Sequence, residues 1–191
     1  MNQDPKPKVF ISYFHEDDEE YKRRLVQALT SKAIDKSVSP GDIHDTNLPL
    51  AEICRRIRDN HIADATVTIV LIGQCTWQRR HVDWEISASL IDRRNNERGG
   101  LVGLLLPTHP DFWAEPADRN PRLIPQRLAC NIDGNDPFAV IYKWPRQWVA
   151  RRVMTKVRRA LLRKDKAPWP DDSLDLFAEN RRGECSLGWQ N

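Results

Sequence analysis

The stretch "ATVTIVLIGQCTWQRRHVDWEISASL", Ala65 to Leu90, decides the fold. Its first half is apolar at almost every position rather than at alternate ones, and it is short and rich in β-branched residues. That pattern suits a strand covered on both faces, as in a parallel sheet. Gly73 ends the run, and a helix carrying Glu85 is predicted over Trp77 to Arg94. A strand that passes directly into a helix is half of a βαβ unit.

The same alternation extends in both directions. "KVFISYF" (Lys8 to Phe14) reads as a strand, and the helix after it has acids in its first turn. Asp17 and Asp18 are available to cap that helix, and Tyr21, Leu25, Ala28 and Leu29 share one face. "AIDKSVSPGDIHDTNL" reads as a weak strand and a loop, followed by a helix behind Pro49 with Leu50, Ile53, Cys54 and Ile57 on one face. Beyond Leu90, "GGLVGLLLP" is a second doubly covered strand and "PFAVIYKW" the last one. The final helix predicts a stripe of Trp148, Val149, Val153, Val157, Ala160 and Leu161. Residues Thr108 to Asp136, punctuated by proline and without a period, form an irregular insertion. The expected division is one domain over residues 1–166 and a polar tail over 167–191. Trp169, Leu176, Phe177 and Trp189 are docking points for an otherwise loose tail. The fold class is α/β, a doubly wound parallel sheet flanked by helices.

Composition excludes several classes. A net charge of +3, with 30% of residues charged, explains solubility without nucleic acid. Arg151, Arg152, Arg158, Arg159 and Arg163 on the last helix read as a solvated face, partly balanced by Asp171, Asp172 and Asp175. The N-terminus has no apolar core of a secretion signal, and no apolar run approaches the roughly 20 residues of a membrane span. A soluble cytoplasmic protein is expected. Cys54, Cys75, Cys130 and Cys185 lack metal-ligand spacing and disulfide-framework spacing, so free thiols and no metal are expected.

Ligands of doubly wound sheets bind outside the carboxyl ends of the strands, which directs attention to the loops after Phe14 and Gly73. Neither GxGxxG nor GxxxxGK[ST] is present, and "FHEDDEE" would repel a phosphate. No GxSxG elbow occurs, and Gly73 and Gln74 stand where a receiver would place its phosphoacceptor aspartate. What remains is Glu85. At about 100° per residue, Val82, Ile86 and Leu90 form one apolar side of its helix and Trp84, Ala88 and Ile91 another. Glu85 falls between them, with His81 and Ser89 one turn away. From the pattern alone two readings stay open: an acid complementing the helix dipole, or an acid facing a cleft.

"KVFISYFHEDDEE", "RIRDNHIADATVTIVLIGQCTW" and "RRHVDWEI" together resemble the TIR-like family typified by the NAD-consuming subunit of the bacterial Thoeris antiphage system. The resemblance covers Lys8 to Pro107. It implies a flavodoxin-like sheet of about five strands and Glu85 as the catalytic residue. It also implies NAD as substrate rather than cofactor, with cleavage of the nicotinamide–ribose bond to give an ADP-ribose-derived, cyclic signal. A downstream effector would sense that signal, and self-association or infection would trigger the enzyme. The aromatic residue common in TIR enzymes one turn before the glutamate is His81 here, with Trp84 displaced next to the acid. On this resemblance Phe14 and His15 are candidates to touch nicotinamide or ribose, His81 to tune Glu85, and Asp45 to contact ribose. Cys75 and Thr76 are expected to cap and line the helix start rather than act as nucleophiles. The alternative is a TIR-like interaction module without catalysis, with Glu85 held in a salt bridge to Arg79 or Arg80.

Overall fold

The structure is a computed structural model that describes residues 6–37, 48–91 and 98–190, with Ala51 and Cys54 described by backbone alone. Five parallel strands form the sheet: β1 (Lys8–Ser12), β2 (Ile34–Asp35), β3 (Val67–Ile72), β4 (Gly100–Leu105) and β5 (Val140–Lys143). Their spatial order is β2-β1-β3-β4-β5, the flavodoxin-like order. β3 pairs with β4 along its whole length, Val67 opposite Gly100 through Ile72 opposite Leu105. Every residue of β3 and β4 is buried because helices cover both faces, and Thr68 is the one polar side chain in the two strands.

The helices are α1 (His15–Leu29), α2 (Leu50–Ile57), α3 (Arg80–Leu90), α4 (Gln126–Cys130) and α5 (Val149–Lys164). α1 and α5 pack together on one face of the sheet, while α2, α3 and α4 lie on the other. Gly100 lets α5 sit close, since a Cβ there would stand 2.7 Å from the Ala160 carbonyl oxygen. No helix among the described residues is long and apolar enough to cross a membrane.

Four expectations need correction. The Glu85 helix is shorter than predicted: Thr76–Gln78 forms a 3₁₀ turn, α3 begins at Arg80, and Ile91 is already extended. Trp148 leaves the α5 stripe. It precedes the helix with φ of 57° and is 72% exposed, whereas Val153, Val157 and Ala160 are buried as expected. Asp172 and Asp171 do not pair with the α5 arginines: the Asp172 carboxylate bonds Arg127, and the Asp171 carboxylate accepts from the Ser173 amide. Finally, Cys75 and Cys185 form a disulfide with their Cα atoms 4.9 Å apart, while Cys130 is a free thiol. A separation of 110 residues carries no sequence signature; the fold of the tail brings the pair within bonding range.

The C-terminal segment is fastened across α3 and the insertion. Indole nitrogens of Trp77, Trp84 and Trp189 donate to the carbonyls of Cys185, Phe177 and Ile124. The Asn180 side chain accepts from the amide of Arg80, capping α3 where Arg79 has no side-chain cap to offer. Arg127, 1% exposed, ties the parts together. It donates to Asp83 at 3.0 Å, to Asp172 at 2.5 Å, and to the Leu174 and Asp175 carbonyls. A buried guanidinium is tolerable only when its donors are satisfied in this way.

Candidate functional site

α3 crosses the sheet beside the carboxyl ends of β1 and β3, and Glu85 sits on its second turn. Val82 and Ile86 enter the main core, and Trp84 and Ala88 pack with Phe10, Ile53 and Ile57 in a second cluster. Glu85 lies between these two apolar sides, as the periodicity requires, and is only 4% exposed. Burial pushes its carboxyl up to about 8. The buried Ser12 hydroxyl at the end of β1 opposes that rise, but it makes no hydrogen bond of ordinary geometry, so its pull is weak. No described residue forms an ion pair with Glu85. Arg79 turns instead to Phe14, its guanidinium carbon 3.4 Å from the ring centroid. Arg80 lies 5.1 Å from the Trp84 ring centroid and donates to the Ala178 carbonyl.

The loop after β1 contributes the next three residues. Tyr13 donates its hydroxyl to Glu19, and burial is the main reason that this phenol is held well above its ordinary range. The Glu85 charge acts on Tyr13 in the same direction, which links the two residues electrostatically. Phe14 is buried at the start of α1. His15 stacks 4.2 Å from the Tyr13 ring, its Nδ1 is buried without a hydrogen-bond partner, and burial lowers its pKa.

Thr76 lines the loop after β3: its hydroxyl accepts from the Gly73 amide at 2.8 Å and donates to Asp18 at 3.1 Å. Cys75 precedes the 3₁₀ turn without a side-chain cap and is joined to Cys185, so its reading as a capping free thiol is corrected. The His81 ring is 5.0 Å from that of Trp84 on the partly exposed start of α3. Asp45 lies outside the described residues.

Asp18 is the residue that the sequence reading misplaced. It is not a cap: α1 is preceded by Phe14 and has no side-chain cap bond, and Asp18 is fully buried. Burial pushes it up to about 6, against the pull of Thr76. Gly73 makes room for it, since any Cβ there would collide with the Asp18 carboxylate. The signal was present in the spacing, because Asp18 shares the helical face of Leu25 and Leu29. Two buried acids, Asp18 and Glu85, therefore stand near the carboxyl ends of the central strands. Two cavities lie away from these acids, one against α5 and one between β1 and α1.

A parallel sheet in the flavodoxin-like order, with two buried acids near its carboxyl end, defines the class of a doubly wound α/β domain. The chain belongs to the family described as Thoeris protein ThsB, TIR-like domain, which matches residues 10–111. No curated protein matches the chain. Among solved structures, the TIR domains in "Structure of the activated Roq1 resistosome directly recognizing the pathogen effector XopQ" align over 78% of this chain and 98% of their own. That alignment has 14% identity and a TM-score of 0.44. The fold assignment stands on the strand order described above.

Proposed function

We propose that this chain is a TIR-type enzyme that cleaves the nicotinamide–ribose bond of NAD and converts the remainder to a cyclic ADP-ribose-derived signal in antiphage defence. Glu85 is its catalytic carboxylate. The observation that carries the reading is the setting of that acid: buried, raised to about 8, and without a cationic partner among the described residues. A fold that removes a carboxyl from water without pairing it sacrifices stability, and such groups concentrate at sites of chemistry.

The reaction suits a single acid. Nicotinamide is a pyridinium in NAD and leaves as a neutral ring carrying the electron pair of the broken bond, so no general acid is required, in contrast to a sugar leaving group. The ribose carbon becomes positive as that bond lengthens, and a carboxylate facing it lowers the barrier. The bound pyridinium would be the missing cation: it would draw the Glu85 pKa down, ionise the carboxyl and release its proton to solvent. A second nucleophilic atom of the same nucleotide then attacks the ribose carbon and closes the ring, provided water is kept out. Phe14 and His15, where the loop after β1 enters α1, are the residues proposed to touch the nicotinamide or ribose.

One observation favours a second reading, a non-catalytic interaction module. Arg79 occupies the face of Phe14 on which a nicotinamide would stack. Incubation of the purified chain with NAD and phage-infected lysate separates the two readings. The enzyme releases nicotinamide, and Glu85→Gln, still folded, does not. Intact NAD with both proteins supports the module.

A further inference from the structure

On the sheet face opposite α3, a cavity of about 520 Å³ opens between the carboxyl ends of β4 and β5 and the first turns of α5. Its volume is in the ordinary range for small-molecule sites, about 300–1,000 Å³. Four cations line it, Lys143, Arg146, Arg152 and Lys156, together with the rings of Trp113 and Tyr142, and no carboxylate does. None of the four forms an ion pair with a described residue; the ion pairs of α5 are at its other end, Arg163 with Asp136 and Lys164 with Asp165. The rings hold the charges instead. Arg146 lies 4.7 Å from the Trp113 centroid and Lys156 3.9 Å from that of Tyr142.

We propose that this cavity is a second ligand site, taking a nucleoside diphosphate or a molecule containing one, with the base on Trp113 and the phosphates on Arg146, Arg152, Lys143 and Lys156. Clustered cations repel one another, and burial together with the neighbouring Arg159 and Arg152 already depresses the Lys156 pKa. A phosphate anion would relieve that repulsion through charge-assisted hydrogen bonds. An inorganic anion would use the cations but leave Trp113 idle. That indole is 68% exposed at the mouth, offering the flat apolar face on which a base stacks. A peptide carboxylate would neutralise only one or two of the four charges. The site is separated from Glu85 by the sheet, so it is independent of the reaction proposed above.

The test is isothermal titration of the full chain with ADP and, separately, with inorganic pyrophosphate. ADP is expected to bind at one site and more tightly than pyrophosphate. The double variant Arg146→Glu, Arg152→Glu changes two exposed side chains, so its thermal melt should be unchanged while ADP affinity falls by about tenfold or more. Trp113→Ala should weaken ADP and leave pyrophosphate unaffected, and Glu85→Gln should leave ADP binding as in wild type. The proposal is overturned by absence of ADP binding or by unchanged affinity in the charge-reversed variant. It is equally overturned if pyrophosphate binds as well as ADP, or if a single-stranded oligonucleotide outcompetes ADP for the groove.

Discussion

The guanidinium of Arg79 lies over the ring of Phe14, 3.4 Å from its centroid, so a cation from the approach to α3 covers the aromatic residue that ends the β1 loop. If nicotinamide binds there it must displace Arg79, and its pyridinium charge is repelled by the guanidinium as it arrives. A cation–π contact of this kind is worth about 0.5–1 kcal/mol. Arg79→Ala is therefore expected to lower KM for NAD by about two- to fivefold with little change in kcat. Steady-state kinetics on the activated enzyme would read this, and a higher KM would instead make Arg79 a substrate-holding residue.

Stability should fall as pH rises through the titration of Glu85. The folded carboxyl is raised to about 8 from an ordinary 4.5, so the native state holds a proton that the unfolded chain has lost. This contribution is favourable below the unfolded value and is lost between the two. Asp18, raised to about 6 from 3.8, acts in the same sense over a lower window. Urea midpoints measured from pH 5 to 9 should decline for wild type and be flatter for Glu85→Gln, the gap between them widening up to about pH 8. Parallel curves would mean that Glu85 is already charged in the folded protein.

How much of this was legible beforehand depended on which interactions leave a period in the sequence. β3 and β4 were readable because a strand covered on both sides must be apolar throughout, and the burial of Glu85 followed from its place between two apolar sides of one helix. Asp18 is legible too, since it shares a helical face with Leu25, but an acid in a first turn also fits a cap, and the two readings compete. The tail left no such mark. Its docking uses indole and amide donors on backbone carbonyls at Cys185, Phe177 and Gly183, which any residue can supply. The Cys75–Cys185 pair depends on that docking and the Asp83–Arg127 pair on the packing of α4 against α3, so neither has a local sequence signal.

Arg127 should be among the most sensitive positions outside the site. Replacing it with Met leaves Asp83 buried without its cation and cuts the bonds to Asp172, Leu174 and Asp175. A loss of about 3–5 kcal/mol is expected from chemical denaturation. Adding Asp83→Leu to that variant should restore part of it, because the stranded charge is then removed. Additive losses would show that the two residues are uncoupled.

The disulfide should tether the tail more than it supports the sheet. Cys185→Ser removes a cross-link across 110 residues, for which chain-entropy reasoning gives a ceiling of about 4–5 kcal/mol. Hydrogen bonds from Gln78 and Trp77 remain, so the expected result is faster amide exchange over residues 178–190 with protection of β3 and β4 kept. Reduction of wild type with dithiothreitol should reproduce the same exchange pattern, and the variant should not respond to it. A wild type indifferent to reduction would contradict this.

The central claim concerns the carboxyl at position 85, and nucleotide mass spectrometry of phage-infected cells tests it most directly. Cells carrying wild type should lose NAD and accumulate free nicotinamide with a cyclic form of ADP-ribose, one water lighter than ADP-ribose itself, after infection. Cells carrying Glu85→Gln at equal abundance should show neither change. If the substituted protein yields the same product at the same rate, Glu85 does not carry the reaction.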